Sequence, residues 1–430
     1  MEYEHVVEPF EHQRLHLENH VDKKAWGLLW EQGTAKTKPI IDTAAILYGR
    51  GEISGLLVVA PPGVERNWAS DEIPKHLPPD LALDTRVFIF KTEKKHTQAH
   101  KRAVAANLAH DGLAVFLISY NAWQTKEGKK AATEFLAKRE VLMVCDEAHN
   151  IKSPSAKRTF SIRTIGKRAK FRRILTGTSI SQGPFDIYSQ VAFLDEWFWK
   201  NKGLHGYTEF KHTFGEYYTR SQCQMDQGYD PGYDQLVRYR NIEKLTEWLK
   251  EITDRVLKDD VLDLPPKLYS KRYYSLSKEQ RAAYDQLRDE LMLEIGDEII
   301  TAELPIVKLL RLQQIVCNYV PLGEDEPVHM FSKKNPRLGP MEEIRDETHH
   351  PVIVWARFRH DVDQIMDLLG KHSAVRYDGS LSDDEAERSK LAFQRGDAQW
   401  FVGTAQKGGP GLTLTQAKTM VYYSNSFRLV

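Results

Sequence analysis

Val141-Leu142-Met143-Val144-Cys145-Asp146-Glu147-Ala148-His149 is the stretch on which the reading of this chain turns. Five consecutive apolar residues, Val141 to Cys145, fit a strand covered on both faces, and such strands belong to parallel sheets sandwiched by helices. The run then stops at two carboxylates. In open α/β sheets the crevice at the carboxyl ends of the strands is where ligands bind, so Asp146 and Glu147 are placed to face one. An Asp-Glu pair alone is common and often only ends a strand. A buried run leading straight into Asp-Glu-Ala-His is not common, and it favours a site.

Upstream, an apolar run over Gly27–Trp30 leads into Glu31-Gln32-Gly33-Thr34-Ala35-Lys36-Thr37, and a helical pattern runs from Ile40 to Tyr48. A strand, a tight turn and a helix N-terminus make an anion site, because backbone N–H groups and the helix dipole both point at negative charge. Gly33, Thr34, Ala35, Lys36 and Thr37 are therefore expected to hold the phosphates of ATP, with Lys36 reaching the β- and γ-phosphates. The Thr37 hydroxyl and Asp146 are expected to ligate Mg²⁺, and Glu147 to orient or deprotonate the attacking water. The strict phosphate-loop pattern has glycine where Trp30 and Ala35 stand, and the Ala35 methyl group is expected to weaken the phosphate grip.

The rest of the chain supports a parallel α/β architecture. Strand-like runs at Gly27–Trp30, Leu56–Ala60, Val87–Phe90, Leu113–Tyr120, Val141–Cys145 and Arg173–Leu175 alternate with amphipathic stretches. A second alternating block holds Val352–Trp355, Ala374–Tyr377, Trp400–Val402 and Met420–Tyr423. Two domains follow, 1–264 and 265–430, with helical insertions expected over about 195–264 and 277–330. The first insertion is rich in aromatic residues, and a small aromatic core of its own is favoured over a base-stacking surface.

Composition excludes some classes and leaves others open. No run of 18 apolar residues exists, so no transmembrane helix is expected, and Met1 to His12 lacks the pattern of a signal peptide. Cys145, Cys223 and Cys317 fit no zinc spacing and read as buried thiols of a reducing compartment. The net charge is zero, with 60 basic and 60 acidic residues, so bulk charge says nothing for nucleic acid. Locally, Lys152 to Arg173 holds nine basic and no acidic residues, which fits either a solvated face or a nucleic-acid surface.

The order of these segments resembles that of Swi/Snf-type ATPases, and the resemblance covers nearly the whole chain. Pro9-Phe10-Glu11-His12-Gln13 resembles the segment that reads adenine, with Gln13 as the base contact. Leu57 to Pro62 with Trp68 and Glu72, and Ile118-Ser119-Tyr120, resemble motifs that meet the nucleic-acid backbone. Ile151-Lys152, Leu175-Thr176-Gly177-Thr178 and Leu264-Pro265-Pro266-Lys267 follow in family order. So do Gln280 with Tyr284, Leu310 to Asn318, Val352 to Phe358, Tyr377 to Ser380 with Arg388 and Phe393, and Gly403 to Leu414. Ser179 stands where the family usually has proline.

The resemblance implies two tandem RecA-like domains, ATP hydrolysis with Mg²⁺, and double-stranded DNA as the track, moved along without strand separation. It implies that His149, Thr176 and Thr178 couple nucleotide state to movement. Pro62, Tyr120, Arg357, Thr404, Gly409 and Gly411 are implied contacts to a nucleic-acid backbone. The family's last motif, carrying a glutamine and two arginines, would lie beyond the Met420–Tyr423 run. The second domain therefore reads as C-terminally incomplete, and slow turnover is expected unless a C-terminal segment or a partner supplies the arginines. Two other readings share these motifs: a strand-separating DNA or RNA helicase, and a hydrolysis-impaired, ATP-switched clamp or half of an assembly. An intracellular protein of bacterial or viral cytoplasm, with no membrane partner, is expected rather than a nuclear one.

Overall fold

The computed structural model describes residues 3–425 apart from 178–182, 228–229, 231, 264–265, 291, 296–297, 302–304, 323–327, 371, 409–411 and 413. The chain forms two compact units, Met1–Pro265 and Pro266–Val430.

Unit 1 is built on strands β1 (Ala25–Trp30), β2 (Gly55–Ala60), β3 (Thr85–Phe90), β4 (Leu113–Ser119), β5 (Val141–Asp146) and β6 (Phe171–Leu175), a hairpin of β7 (Gly215–Tyr218) and β8 (Gln235–Tyr239), and β9 (Thr253–Val256). Seven of these form one sheet in the order β3-β4-β2-β5-β6-β1-β9, and every pairing in it is parallel. Alternation within the apolar runs sends Leu28, Val58, Leu117 and Val144 to one face and Leu57, Phe116, Met143 and Cys145 to the other, all fully buried. Helices cover both faces, which is why the strands read as unbroken apolar runs.

Helix α1 (Glu11–His20) is fastened to the sheet by a carboxylate. Asp254 of β9 accepts from Trp26 Nε1 at 2.7 Å, from Trp30 Nε1 at 2.8 Å and lies 3.3 Å from His16 Nδ1. Helix α2 (Thr37–Gly49) follows the phosphate turn and buries Ile40, Ile41, Ala44 and Leu47 against the sheet.

The 195–264 region is not an all-helical insertion with a separate core. It holds the antiparallel β7–β8 hairpin, and β9 returns to extend the main sheet beside β1. Trp199, Phe210 and Phe214 are buried in the same apolar cluster as Phe193 and Ile187, continuous with the core of unit 1. Trp197 alone among the large aromatics of its first turn is exposed, beneath the Lys200 ammonium.

Unit 2 begins with helices Lys278–Glu290 and Pro305–Val316 and two short hairpins, β10 (Met292–Ile295) with β11 (Glu298–Thr301) and β12 (Tyr319–Pro321) with β13 (Val328–Met330). The 277–330 insertion is thus mixed rather than helical. The remaining strands, β14 (Val352–Ala356), β15 (Ala374–Tyr377), β16 (Trp400–Thr404) and β17 (Thr419–Tyr422), form a parallel sheet in the order β15-β16-β14-β17. Its core gathers Val352, Val354, Val362, Ile365 and Val402. Both units are therefore α/β with parallel sheets, as the alternating pattern implies. Among the described residues, no helix is long and apolar enough to cross a membrane.

Candidate nucleotide site

The turn after β1 has the backbone that an anion loop requires. Gly33 has φ +86° and Ala35 φ +56°. The left-handed region is open to glycine and costly for a residue with a Cβ, so Ala35 carries strain of about 1 kcal/mol in a position that suits glycine. The turn is closed on itself: Thr34 Oγ1 donates to Glu31 O at 2.7 Å, and Lys36 Nζ donates to the same oxygen at 3.2 Å. Thr37 opens α2, a helix of 13 residues, so its N-terminal N–H groups border the turn. Lys36 and Lys38 have different fates. Lys38 is paired with Asp42 at 2.5 Å in the interior, whereas Lys36 reaches only a carbonyl.

Gln13 is buried beneath this turn. Its Oε1 accepts from Phe10 N at 2.9 Å, and its Nε2 donates to Ala35 O at 2.8 Å. It thus links the segment expected to read adenine to the phosphate turn.

The carboxylates stand at the end of β5. Asp146 Oδ1 accepts from Glu147 N at 2.9 Å, and its Oδ2 accepts from Trp68 Nε1 at 2.9 Å. Burial pushes the Asp146 carboxyl up to about 6, against the Trp68 hydrogen bond, which pulls it down. Glu147 sits in the left-handed region at φ +48°, and its Oε2 is buried without a hydrogen bond, 3.3 Å from His149 Nδ1. A non-glycine residue held there turns its side chain out of the strand direction, a form of strain common at functional sites.

Lys36, Asp146 and Glu147 form one electrostatic unit. Burial lowers the Lys36 pKa, and Glu147 and then Asp146 are the charges that most oppose the shift. The end of β6 completes the floor: a Cβ on Gly177 would stand 2.9 Å from Gln32 N and 3.3 Å from Trp30 O, so glycine is what lets that loop lie against the phosphate turn. The neighbouring Thr176 is fully buried, and its N–H donates to Leu28 O at 3.1 Å. A carboxylate oxygen without a hydrogen bond among the described residues, a lysine held in a half-buried turn and a hydroxyl at a helix start are a donor set suited to a hydrated divalent cation and a polyphosphate.

The other expected residues separate into groups. Pro62 is exposed just beyond β2. Tyr120 is not a surface contact: its ring is buried, and its hydroxyl donates to Asp146 O at 2.8 Å, so it supports the carboxylate loop instead of a nucleic-acid backbone. Arg357, in unit 2, engages Gln313 Oε1 through its guanidinium and stacks on Phe358 at 5.2 Å. Thr404 ends β16 and is nearly buried. Thr178, Gly409 and Gly411 lie outside the described residues. Trp68, expected near nucleic acid, is instead 1% exposed and orients Asp146. It begins a π-helical turn, Trp68–Glu72, an irregularity often found where a side chain must be aimed.

The turn between β1 and α2 and the Asp146–Glu147 pair at the end of β5 thus lie at the carboxyl edge of one parallel sheet, the arrangement expected of a nucleotide-binding α/β fold. Comparison with known proteins narrows this. The model of the SNF2-related domain matches residues 16–320, and that of the helicase conserved C-terminal domain matches residues 338–429. The chain belongs to the SNF2-related family of helicase-like ATPases, and the first of these matches runs across the boundary between its two α/β units.

The DNA repair and recombination protein RDH54 of Saccharomyces cerevisiae (strain YJM789) is 24% identical over 316 residues, 66% of this chain and 32% of that protein. Helicase SWR1 of Yarrowia lipolytica is 29% identical over 215 residues, 49% of this chain and 12% of that protein. The human SWI/SNF-related matrix-associated actin-dependent regulator of chromatin subfamily A member 1 is 24% identical over 303 residues, 66% of this chain and 27% of that protein. The chain thus spans about a third or less of these relatives' lengths. Among solved structures, the Sulfolobus solfataricus SWI2/SNF2 ATPase core in complex with dsDNA aligns over 98% of this chain and 83% of that one, at 21% identity and TM-score 0.45.

These relatives correct the expected placement in bacterial or viral cytoplasm. The similar proteins are yeast and mammalian, and their names are those of DNA repair and chromatin regulation.

Proposed function

We propose that this chain is an ATP-driven motor core that moves along double-stranded DNA without separating its strands. The observation that carries the reading is the convergence of Lys36, Asp146 and Glu147 at the carboxyl edge of one sheet, beside a strained anion turn. Family membership and the DNA-directed names of the relatives support the choice of track.

The chemistry assigned to the chain is hydrolysis of the terminal phosphate bond. N–H groups of the turn and the Lys36 ammonium bind the β- and γ-phosphates. The Thr37 hydroxyl and Asp146 would hold magnesium, which would offset phosphate charge when bound. Glu147 accepts a proton from water as its oxygen bonds to the γ-phosphorus and the bond to the bridging oxygen breaks, giving ADP and phosphate. His149, 3.3 Å from Glu147, holds that carboxylate in place and can pass its state to the following Ile151–Lys152 segment. Thr176 and Thr178 are assigned to the coupling of nucleotide state to movement. Gln13 is buried with both amide ends bonded within the chain, so it braces the turn, and contact with adenine requires one of those bonds to exchange. Pro62, Arg357, Thr404, Gly409 and Gly411 would meet phosphates of one DNA strand, a sequence-independent grip.

A second reading, an ATP-switched clamp with slow turnover, draws on Ala35, whose methyl group occupies a position of the turn suited to glycine. Three measurements on the chain decide among the readings. Duplex DNA raises ATP hydrolysis, a third strand is displaced from a triplex, and a simple duplex is left unopened if the motor reading is right. Opening of the simple duplex supports a helicase instead. Binding of ATP and DNA with no stimulated turnover supports the clamp.

A further inference from the structure

Lys258 stands just beyond β9, and its side chain lies over the phosphate turn. A Cβ placed on Gly33 would be 2.9 Å from Lys258 Cε and 3.4 Å from its Nζ. The lysine therefore uses the space that the missing Gly33 side chain leaves open. This approach is fixed by backbone. Glu31 N donates to Val256 O at 2.8 Å, and Lys258 N donates to Glu31 Oε2 at 2.9 Å. Glu31 also provides the carbonyl that accepts from Thr34 and Lys36. One residue thus holds two lysines against the same turn, Lys36 from its own segment and Lys258 from the far side of β1.

The carboxylates around the turn, Glu147, Asp146 and Glu31, act on Lys36. Among the described residues, the Lys258 ammonium makes no ion pair or hydrogen bond, and its neighbours Asp259 and Asp260 are exposed to solvent. Lys36 feels Lys258 as a repelling charge. Two like charges brought to one half-buried turn are unfavourable unless an anion lies between them. The anion that this turn is shaped to take is a polyphosphate.

We propose that Lys258 is a second triphosphate-binding lysine, delivered to the phosphate turn by β9. The assignment rests on the ATP-binding reading above and extends it. Lys36 meets the phosphates from the side of the carboxylates, and Lys258 meets them from the opposite side, over Gly33.

The test is a fluorescence titration of the full chain with mant-labelled ATP, ADP and AMP. Lys258→Met keeps the apolar stem over Gly33 and removes the charge. It should weaken ATP binding about ten- to a hundredfold, weaken ADP binding less and leave AMP unchanged. Lys258→Arg, which keeps the charge, should recover most of the loss. Amine acetylation of the unmodified protein gives a reading that depends on no variant: ATP should protect Lys258 and AMP should not. Wild-type ATP affinity in Lys258→Met, equal losses for ATP and AMP, or no protection of Lys258 by ATP overturns the assignment. If Lys36→Ala abolishes ATP binding while Lys258→Met does not, only the second lysine is refuted. If the unmodified chain binds no ATP, the site reading itself fails.

Discussion

The carboxyl edges of the two parallel sheets are built on the same plan and finished differently. In unit 1, the loops after β1, β5 and β6 bring together a buried lysine, two carboxylates and two residues forced into left-handed backbone. Their charges are only partly compensated, and the Glu147 Oε2 atom has no hydrogen bond. In unit 2, several polar groups at the matching edge bond to one another, although Asp361 Oδ1 is buried without a hydrogen bond among the described residues. Asp361 accepts from Ser424 Oγ at 2.6 Å, Arg357 N donates to Ser424 Oγ at 2.7 Å, and the Arg357 guanidinium engages Gln313. An edge with unspent charge and strain is prepared for a ligand that brings charge and chemistry. An edge whose groups bond mostly to one another is suited to holding shape.

The sharpest way to break this contrast is to remove the base from one edge and a cation from the other. Glu147→Gln should lower DNA-stimulated hydrolysis by about 10²–10⁴-fold while ATP still binds. Arg357→Ala should leave ATP affinity unchanged and weaken DNA binding, read by filter binding at two salt concentrations. If Arg357→Ala weakens ATP as strongly as DNA, the division of labour between the edges is wrong.

A smaller effect is expected from the support beneath the carboxylate. Trp68→Phe removes the donor to Asp146 Oδ2 and should cost about 1–3 kcal/mol of stability, read from a denaturant melt. The same change should weaken the magnesium dependence of ATP binding. Ala35→Gly should relieve the left-handed strain. It should stabilise the nucleotide-free protein by about 1 kcal/mol or less and tighten ATP binding. A loss of stability in Ala35→Gly would show that the turn is not strained there.

The smallest effect concerns the rear of unit 1, away from the reacting groups. Burial holds the His20 pKa down, to about 4, with Asp254 opposing and His16, Arg173 and Lys23 adding to the shift. The unfolded chain takes up that proton near its usual 6.5, and the fold takes it up only near 4. Stability present above pH 6.5 is therefore lost as pH falls towards 4. His20 stacks on Trp26 at 3.8 Å, so His20→Phe keeps the ring and cannot be protonated. Its melting temperature should fall less steeply than that of the unmodified protein between pH 6.5 and 4.

Much of this was legible before the fold, for physical reasons. Ten parallel strands announce themselves by runs rich in apolar residues, unbroken where both faces are buried as in β2, β4 and β5, and Val141–Cys145 followed by Asp-Glu is the clearest of them. Strand β9 was hidden because Thr253-Asp254-Arg255-Val256 has no such run. It joins the edge through backbone pairing to β1 and through the Asp254 bonds to two tryptophans. The β7–β8 hairpin was hidden because its strands are short and largely exposed, without a strict alternation. Around the site, residues that act through the chain's local order were readable, such as Lys36, Thr37 and the Asp-Glu pair. Those that arrive from far along the sequence were not. Trp68 reaches Asp146 across 78 positions, and Lys258 reaches Gly33 from the other end of unit 1. Tyr120 shows the converse: its motif match implied a contact to a nucleic-acid backbone, but its ring is buried, and burial cannot be read from order alone.

The most direct test of the central claim is calorimetric titration of the full chain with ATP in the presence of magnesium. One nucleotide should bind per chain, with affinity lost in Lys36→Ala, retained in Glu147→Gln and unaltered in Arg357→Ala. Saturable binding that survives Lys36→Ala, or no binding at all at millimolar ATP, would contradict the assignment of the reactive pocket to the carboxyl edge of unit 1.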